Sequence, residues 1–293
     1  MKKISILVVL LTTLIWGCVK QEDSSSRRKS LAYLNFVKSK SEAIANRAKT
    51  NSRLSDYAWY IIKEDLNGAA IGATLSGGGP HFIGCAAFGA GLFSFMAHMP
   101  YYGENNCGDL ICQNCTNSSY ANSTNPYDNV GLIHNTVVSE ILANRNSVSD
   151  IQGNNCPINY ASTINEMRNA VISETGMTYS QIDSVLPHQF LMDQLDELTN
   201  SIEYSNIITE SQQRLDYLEE MELISPEVKD VLEVYYATLF DLTDYQDVYE
   251  YTEELENEIE DYELNAQDEK VLYAVFSTCR YSAGMWFNGE LLD

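Results

Sequence analysis

Residues 66–103 read LNGAAIGATLSGGGPHFIGCAAFGAGLFSFMAHMPYYG, a stretch without a single Asp, Glu, Lys or Arg. Gly68 and Gly72 stand four apart, and Gly84 is followed by Cys85-Ala86-Ala87. Small residues at that spacing let two helix backbones approach closely. The Gly77-Gly78-Gly79-Pro80 cluster interrupts any helix, which leaves arms of about 10 and about 17 residues. The first arm is too short to span a bilayer and the second is borderline. The stretch therefore reads as a helical hairpin buried in protein. Insertion into a membrane, as by a pore-forming or bacteriocin-like hairpin, is the alternative.

On its N-terminal side, residues 28–50 read as a basic helix. Leu31, Leu34, Phe36, Val37, Ile44 and Ala45 supply an apolar stripe, and Arg28, Lys29, Lys38, Lys40, Arg47 and Lys49 decorate it. Either an anionic lipid surface or an acidic part of the chain would attract it. Past the hairpin, residues 101–126 change to an Asn- and Ser-rich loop with three cysteines. From Asp128 the pattern is helical again. Val130, Ile133, His134, Val137, Val138, Ile141 and Leu142 share one face. Further helices are expected over 159–174, 178–200, 205–223, 225–263 and 267–288. Ser225-Pro226 has the chemistry of a helix start. Val228, Leu232, Tyr235, Leu239 and Leu242 then recur at bundle spacing. No strand alternation or βαβ rhythm is present. The expected fold is mostly α: a helical bundle with a small-residue-rich apolar hairpin and a cysteine-containing loop. Its parts are 30–100, the loop 101–126 and an acidic bundle 127–293 packed with 30–100 as one domain.

The chain has 293 residues and a net charge of −23. Residues 1–189 hold 14 basic and 14 acidic side chains, whereas 190–293 hold 4 and 27. Such a balance excludes an electrostatic nucleic-acid binder. The run Asp241, Asp244, Asp247, Glu250, Glu253, Glu254 lacks a calcium-loop pattern and reads as a solvated helix face.

At the N-terminus, Lys2 and Lys3 precede an apolar run from Ile4 to Trp16 and then Gly17-Cys18. This is the plan of a secretory signal over 1–17. Leu14-Ile15-Trp16-Gly17-Cys18 resembles a bacterial lipobox, with Trp16 where a small residue is usual. The resemblance implies acylation of Cys18, an anchor of more than one acyl chain and an outer-membrane location. Residues 18–29 would be a disordered tether. Its Gln21-Glu22-Asp23 is similar to the surface-export signal of Bacteroidota lipoproteins, which favours the outer face.

Asn125-Pro126-Tyr127-Asp128-Asn129-Val130-Gly131-Leu132-Ile133-His134-Asn135 resembles the NPYDxVGxxHN segment of a group of Bacteroidota lipoproteins to which no activity is attached. Two other islands are similar to that group: Asp65-Leu66-Asn67-Gly68-Ala69-Ala70-Ile71-Gly72 and Arg280-Tyr281-Ser282-Ala283-Gly284-Met285-Trp286. The resemblance implies a shared fold and carries no function. In physical terms Asn125-Pro126 is a turn that starts a helix, and Gly131 admits a close neighbour. His134 and Asn135 form a polar pair on a helix, either a satisfied core histidine with its partner or the lining of a pocket.

Six cysteines remain besides Cys18. Cys107, Cys112, Cys115 and Cys156 have polar surroundings and, in an exported protein, suit two disulfides of open connectivity. Zinc at Cys112-x-x-Cys115 is the alternative, although a second CxxC is missing. Cys85 and Cys279 sit in apolar helical settings where buried free thiols are common. No nucleophile elbow, HExxH or phosphate loop occurs. No cofactor is implied. The sequence points to a non-enzymatic cell-envelope lipoprotein that binds a protein or small-molecule partner. The rivals are a membrane-active protein using the hairpin and an enzyme with a pocket at His134 and Asn135.

Overall fold

The computed structural model describes residues 27–46, 56–102, 120–152, 160–187 and 207–288; of these 83% are helical and none is in a strand. The mostly α expectation holds. Helix α1 covers residues 27–46, α2 Asp56–Leu75, α3 Phe82–Tyr102, α4 Asn129–Gln152, α5 Tyr160–Thr175 and α6 Tyr179–Val185. They are followed by α7 (Ile207–Glu220), α8 (Pro226–Leu239), α9 (Tyr245–Glu258) with a 3-10 turn at Ile259–Tyr262, and α10 (Ala266–Asn288).

Three helices are buried on all sides. They are α2 over 58–73, α3 over 84–97 and α10 over 271–286. A helix without a polar face belongs in the middle of a domain or in lipid. Here the other helices cover it, and among the described residues no helix is long and apolar enough to cross a membrane. The α2–α3 crossing depends on glycine. A Cβ at Gly68 would collide with the Gly89 carbonyl, and one at Gly72 with the Cys85 carbonyl. Gly77 and Gly78 turn the chain between the helices at φ +58° and +66°, a conformation that costs a side chain about 1 kcal/mol or more. Two side chains of α10 hold this turn. Gln267 Nε2 donates to the Ala73 carbonyl at 3.2 Å and Lys270 Nζ to that of Gly78 at 2.9 Å.

Several boundaries differ from the sequence reading. The first arm of the hairpin begins at Asp56, ten residues before the uncharged stretch. Helix α2 thus carries Lys63, Glu64, Asp65 and Asn67 into the interior, all at most 2% exposed. In α1 the buried stripe is Tyr33, Leu34, Val37 and Ile44, while Leu31 is 56% exposed. Tyr33 replaces it because its hydroxyl donates to the Leu255 carbonyl at 3.1 Å. The single helix expected over 225–263 is two. Helix α8 ends at Leu239, and Asp244 caps α9 by accepting from the Gln246 amide at 2.7 Å. The seam Val228, Leu232, Tyr235, Leu239 and Leu242 is buried as expected, and Ser225 caps α8 through the Val228 amide at 3.1 Å.

Candidate functional site

The three sequence islands meet inside the molecule and build two adjoining polar clusters on α10. The first joins α2, α4 and α10. Asp65 Oδ2 accepts from Ser282 Oγ at 2.5 Å and from Trp286 Nε1 at 3.4 Å. His134 Nε2 stands 3.4 Å from the same oxygen, within ion-pair range but without hydrogen-bond alignment. On the other side of the ring, His134 Nδ1 is 2.9 Å from Asn135 Oδ1. Asn135 Nδ2 donates to the Tyr281 carbonyl at 2.8 Å, which makes Oδ1 the acceptor. Both ring nitrogens therefore face acceptor oxygens. Asp65, His134 and Asn135 are fully buried.

The second cluster is centred on Arg280, also fully buried. Its Nε donates to Glu256 Oε2 at 2.8 Å and its Nη2 to Glu256 Oε1 at 3.1 Å. Nη1 donates to the Tyr120 carbonyl, and Nη2 also pairs with Asp128. The rings of Tyr249 and Tyr281 lie 5.9 and 5.8 Å from the guanidinium carbon. Two amides complete the shell of Glu256: Asn122 Nδ2 at 2.8 Å and Asn125 Nδ2 at 2.6 Å. Burial works against the Arg280 charge, but Glu256 and Asp128 outweigh it and hold the guanidinium above its ordinary high pKa. A buried charge is tolerated only when it is paired and hydrogen-bonded, and this one has both.

Local sequence explains how these groups are presented. Asn125 Oδ1 accepts from the Tyr127 amide at 2.8 Å, a side-chain turn that delivers Asp128 to Arg280 and starts α4. Gly131 lets α4 touch α10, where a Cβ would lie 2.5 Å from the Ser277 carbonyl. The Gly131 amide donates to Ser277 Oγ at 2.9 Å, and Ser277 Oγ donates to the Asp128 carbonyl at 2.7 Å. Gly284 leaves room for the Tyr120 ring, whose hydroxyl donates to the Gly284 carbonyl at 3.1 Å.

Of the residues singled out in the sequence, His134 and Asn135 thus sit in the core beside Asp65. They line neither of the two clefts described below. Cys18, Cys107, Cys112, Cys115 and Cys156 lie outside the described residues. Cys85 and Cys279 are buried free thiols, each pushed up to about 12 by burial. No group of His, Cys, Asp and Glu suited to a metal occurs among the described residues. Lys63, Glu64 and Glu256 were not legible as members of the interior. Lys63 Nζ lies 3.2 Å from Glu64 Oε1 and 4.6 Å from the Tyr60 ring centroid, so this pair crosses the core as a neutral unit. The signal for Glu256 was its phase, four residues after the buried Thr252 on the inner face of α9.

The larger cleft, about 480 Å³, opens between α1, α7 and α8 over Leu215, Tyr236 and Phe240. The second, about 440 Å³, lies beside His81, Asn129 and Gln181. Comparison with protein-family models, curated proteins and solved structures finds no match to the chain.

Proposed function

We propose that the chain is a lipid-anchored, non-catalytic binding protein of the cell envelope. Its anchor is Cys18, its place the outer face of the outer membrane, and its kin the Bacteroidota lipoproteins that share the three islands. The observation that carries the non-catalytic part is the enclosure of the polar clusters. Asp65, His134, Asn135, Glu256 and Arg280 are at most 1% exposed, so no substrate reaches them without opening the core. Their hydrogen bonds tie α2, α4, α9 and α10 together, which is the work of a scaffold. The membrane-active alternative draws less support, because the hairpin's small residues are spent on the α2–α3 crossing.

The test has two arms. Cys18→Ser should move the protein from the membrane to the soluble fraction; unchanged partitioning overturns the anchor. His134→Ala empties a fully buried site and strips Asn135 Oδ1 of its 2.9 Å partner, and should lower Tm by about 5–10 °C. A His134→Ala protein that melts with the parent would show that the residue is free for a site, and would overturn the scaffold reading.

A further inference from the structure

The cleft between α1, α7 and α8 has a chemistry of its own. Its floor is Leu215, Tyr236 and Phe240, each at most 3% exposed, with Ala237 at the mouth. The hydroxyls around it are already committed to the protein. Tyr236 Oη donates to Asn67 Oδ1 at 3.3 Å, Thr238 Oγ1 to the Val234 carbonyl at 2.8 Å and Ser41 Oγ to the Val37 carbonyl at 2.8 Å. What the floor offers a visitor is therefore apolar surface. The rim is anionic. Glu42 on α1, Glu233 on α8 and Asp241 just beyond it line the cleft, and among the described residues no lysine or arginine does.

Three described lysines of α1 and α8 are paired elsewhere. Lys229 is held by Asp216 at 2.5 Å and Glu219 at 2.6 Å, and stands 3.8 Å from Glu233. Helix α1 is basic, yet its Lys29 pairs with Glu263 and its Lys40 with Glu254 at 3.1 Å, while Glu42 goes to the cleft. An apolar floor under an anionic rim is complementary to a molecule with an apolar body and a positive head. The volume lies in the range of small-molecule sites, about 300–1,000 Å³, and is too small for a folded partner.

We propose that this cleft binds a small amphipathic organic cation, its aliphatic or aromatic body on Leu215 and Phe240 and its ammonium between Glu42 and Asp241. The site rests on the binding reading above.

The experiment titrates the mature Cys18→Ser chain, in detergent-free buffer, with hexylamine and 2-phenylethylamine by calorimetry or NMR. Hexan-1-ol and hexanoate are the matched neutral and anionic controls. The amines should bind in the millimolar range or tighter, the alcohol at least tenfold more weakly, and hexanoate not at all. Glu42→Gln with Asp241→Asn should cost the amines at least tenfold while leaving hexan-1-ol unchanged. Both positions are exposed, so the variant folds. Ala237→Phe, at an exposed lining residue, should abolish binding of all probes by filling the mouth. Raising salt from 20 to 300 mM should weaken only the amines. Equal binding of amine and alcohol, equal binding by parent and carboxylate variant, or no amine binding up to 20 mM would each overturn the proposal. A cleft already covered by another part of the chain gives the last result. Such a failure leaves the partitioning of Cys18→Ser and the melting of His134→Ala standing, so the two readings fall separately.

Discussion

Removing Arg280 tests whether the central cluster is a coupled unit. Arg280→Met keeps most of the side chain's volume and deletes the charge. It takes two hydrogen bonds from Glu256, at 2.8 and 3.1 Å, and leaves that 1%-exposed carboxylate with only the Asn122 and Asn125 amides. Stranding one member of a buried pair costs about 3–5 kcal/mol. Glu256→Met is milder, about 2–3 kcal/mol, because Arg280 keeps Asp128 and the Tyr120 carbonyl. In the double variant neither charge is stranded. Asn125 retains the Tyr273 carbonyl at 3.0 Å, and Asn122 retains Asn257 Oδ1 at 3.3 Å. The double change should therefore cost about 2–3 kcal/mol less than the sum of the singles. Urea denaturation followed by the fluorescence of buried Trp59 and Trp286 measures all four corners of the cycle. The coupling should survive 1 M salt, which screens exposed pairs such as Lys40–Glu254. Additivity within about 0.5 kcal/mol, or a loss below about 1 kcal/mol for Arg280→Met, would refute the reasoning.

Gly68→Ala should destabilise the protein by about 1–3 kcal/mol or more, since the added methyl meets the Gly89 carbonyl and Phe93 Cβ; Gly77→Ala, with open space around it, should cost only the strain of positive φ, and equal losses at the two sites would remove the crossing argument. Stability should fall above pH 9. Burial pushes Cys85, Cys279 and Tyr251 up to about 12 from ordinary values of 9.0, 9.0 and 10.0, so between those limits the native state holds protons that the unfolded chain releases. Each group then subtracts about 1.4 kcal/mol per pH unit, and urea midpoints measured from pH 7 to 11 would show it. Native-state titration of the two thiols near pH 9 would contradict this.

Helical content, the hairpin and the caps were legible because they are local. Gly77–Pro80 must break a helix, and Ser225-Pro226 must start one, whatever surrounds them. The start of the first arm was not. The charges at Lys63, Glu64 and Asp65 look like the last exposed turn before an apolar segment. They are interior because Lys63 and Glu64 neutralise each other, and because Ser282, Trp286 and His134 reach Asp65 from residues far along the chain. No window of sequence shows such partners. The break at Phe240–Asp244 was hidden for a similar reason, since the apolar spacing runs on through Leu242, which is buried after the helix has ended. Of the site, His134 and Asn135 were visible as a polar pair and Gly131 as a contact point. Glu256 was submerged among acids, and only its helical phase separates it from the exposed ones. The cleft has no sequence signal at all, because α1, α7 and α8 supply it from three separated segments.

The concentration of charge in the last third now has a structural consequence for α1. That helix had two possible attractors, an anionic lipid surface and the acidic part of the chain. Its Tyr33 hydroxyl on the Leu255 carbonyl, Ser41 against the Tyr251 hydroxyl at 2.7 Å, and Lys40 on Glu254 select α9, and Lys29 on Glu263 selects the turn that follows it. Exposed pairs of this kind contribute about 0–1 kcal/mol each, so the buried Tyr33 and Val37 do most of the holding and the lysines set the register. With Lys29 and Lys40 so paired, α1 has less charge left for a lipid surface. The nine residues from Cys18 to the start of α1 reach at most about 30 Å when extended. Along α1, Glu42 lies thirteen residues beyond Lys29, about 20 Å at helical rise. The cleft is thus at the end of α1 remote from the tether.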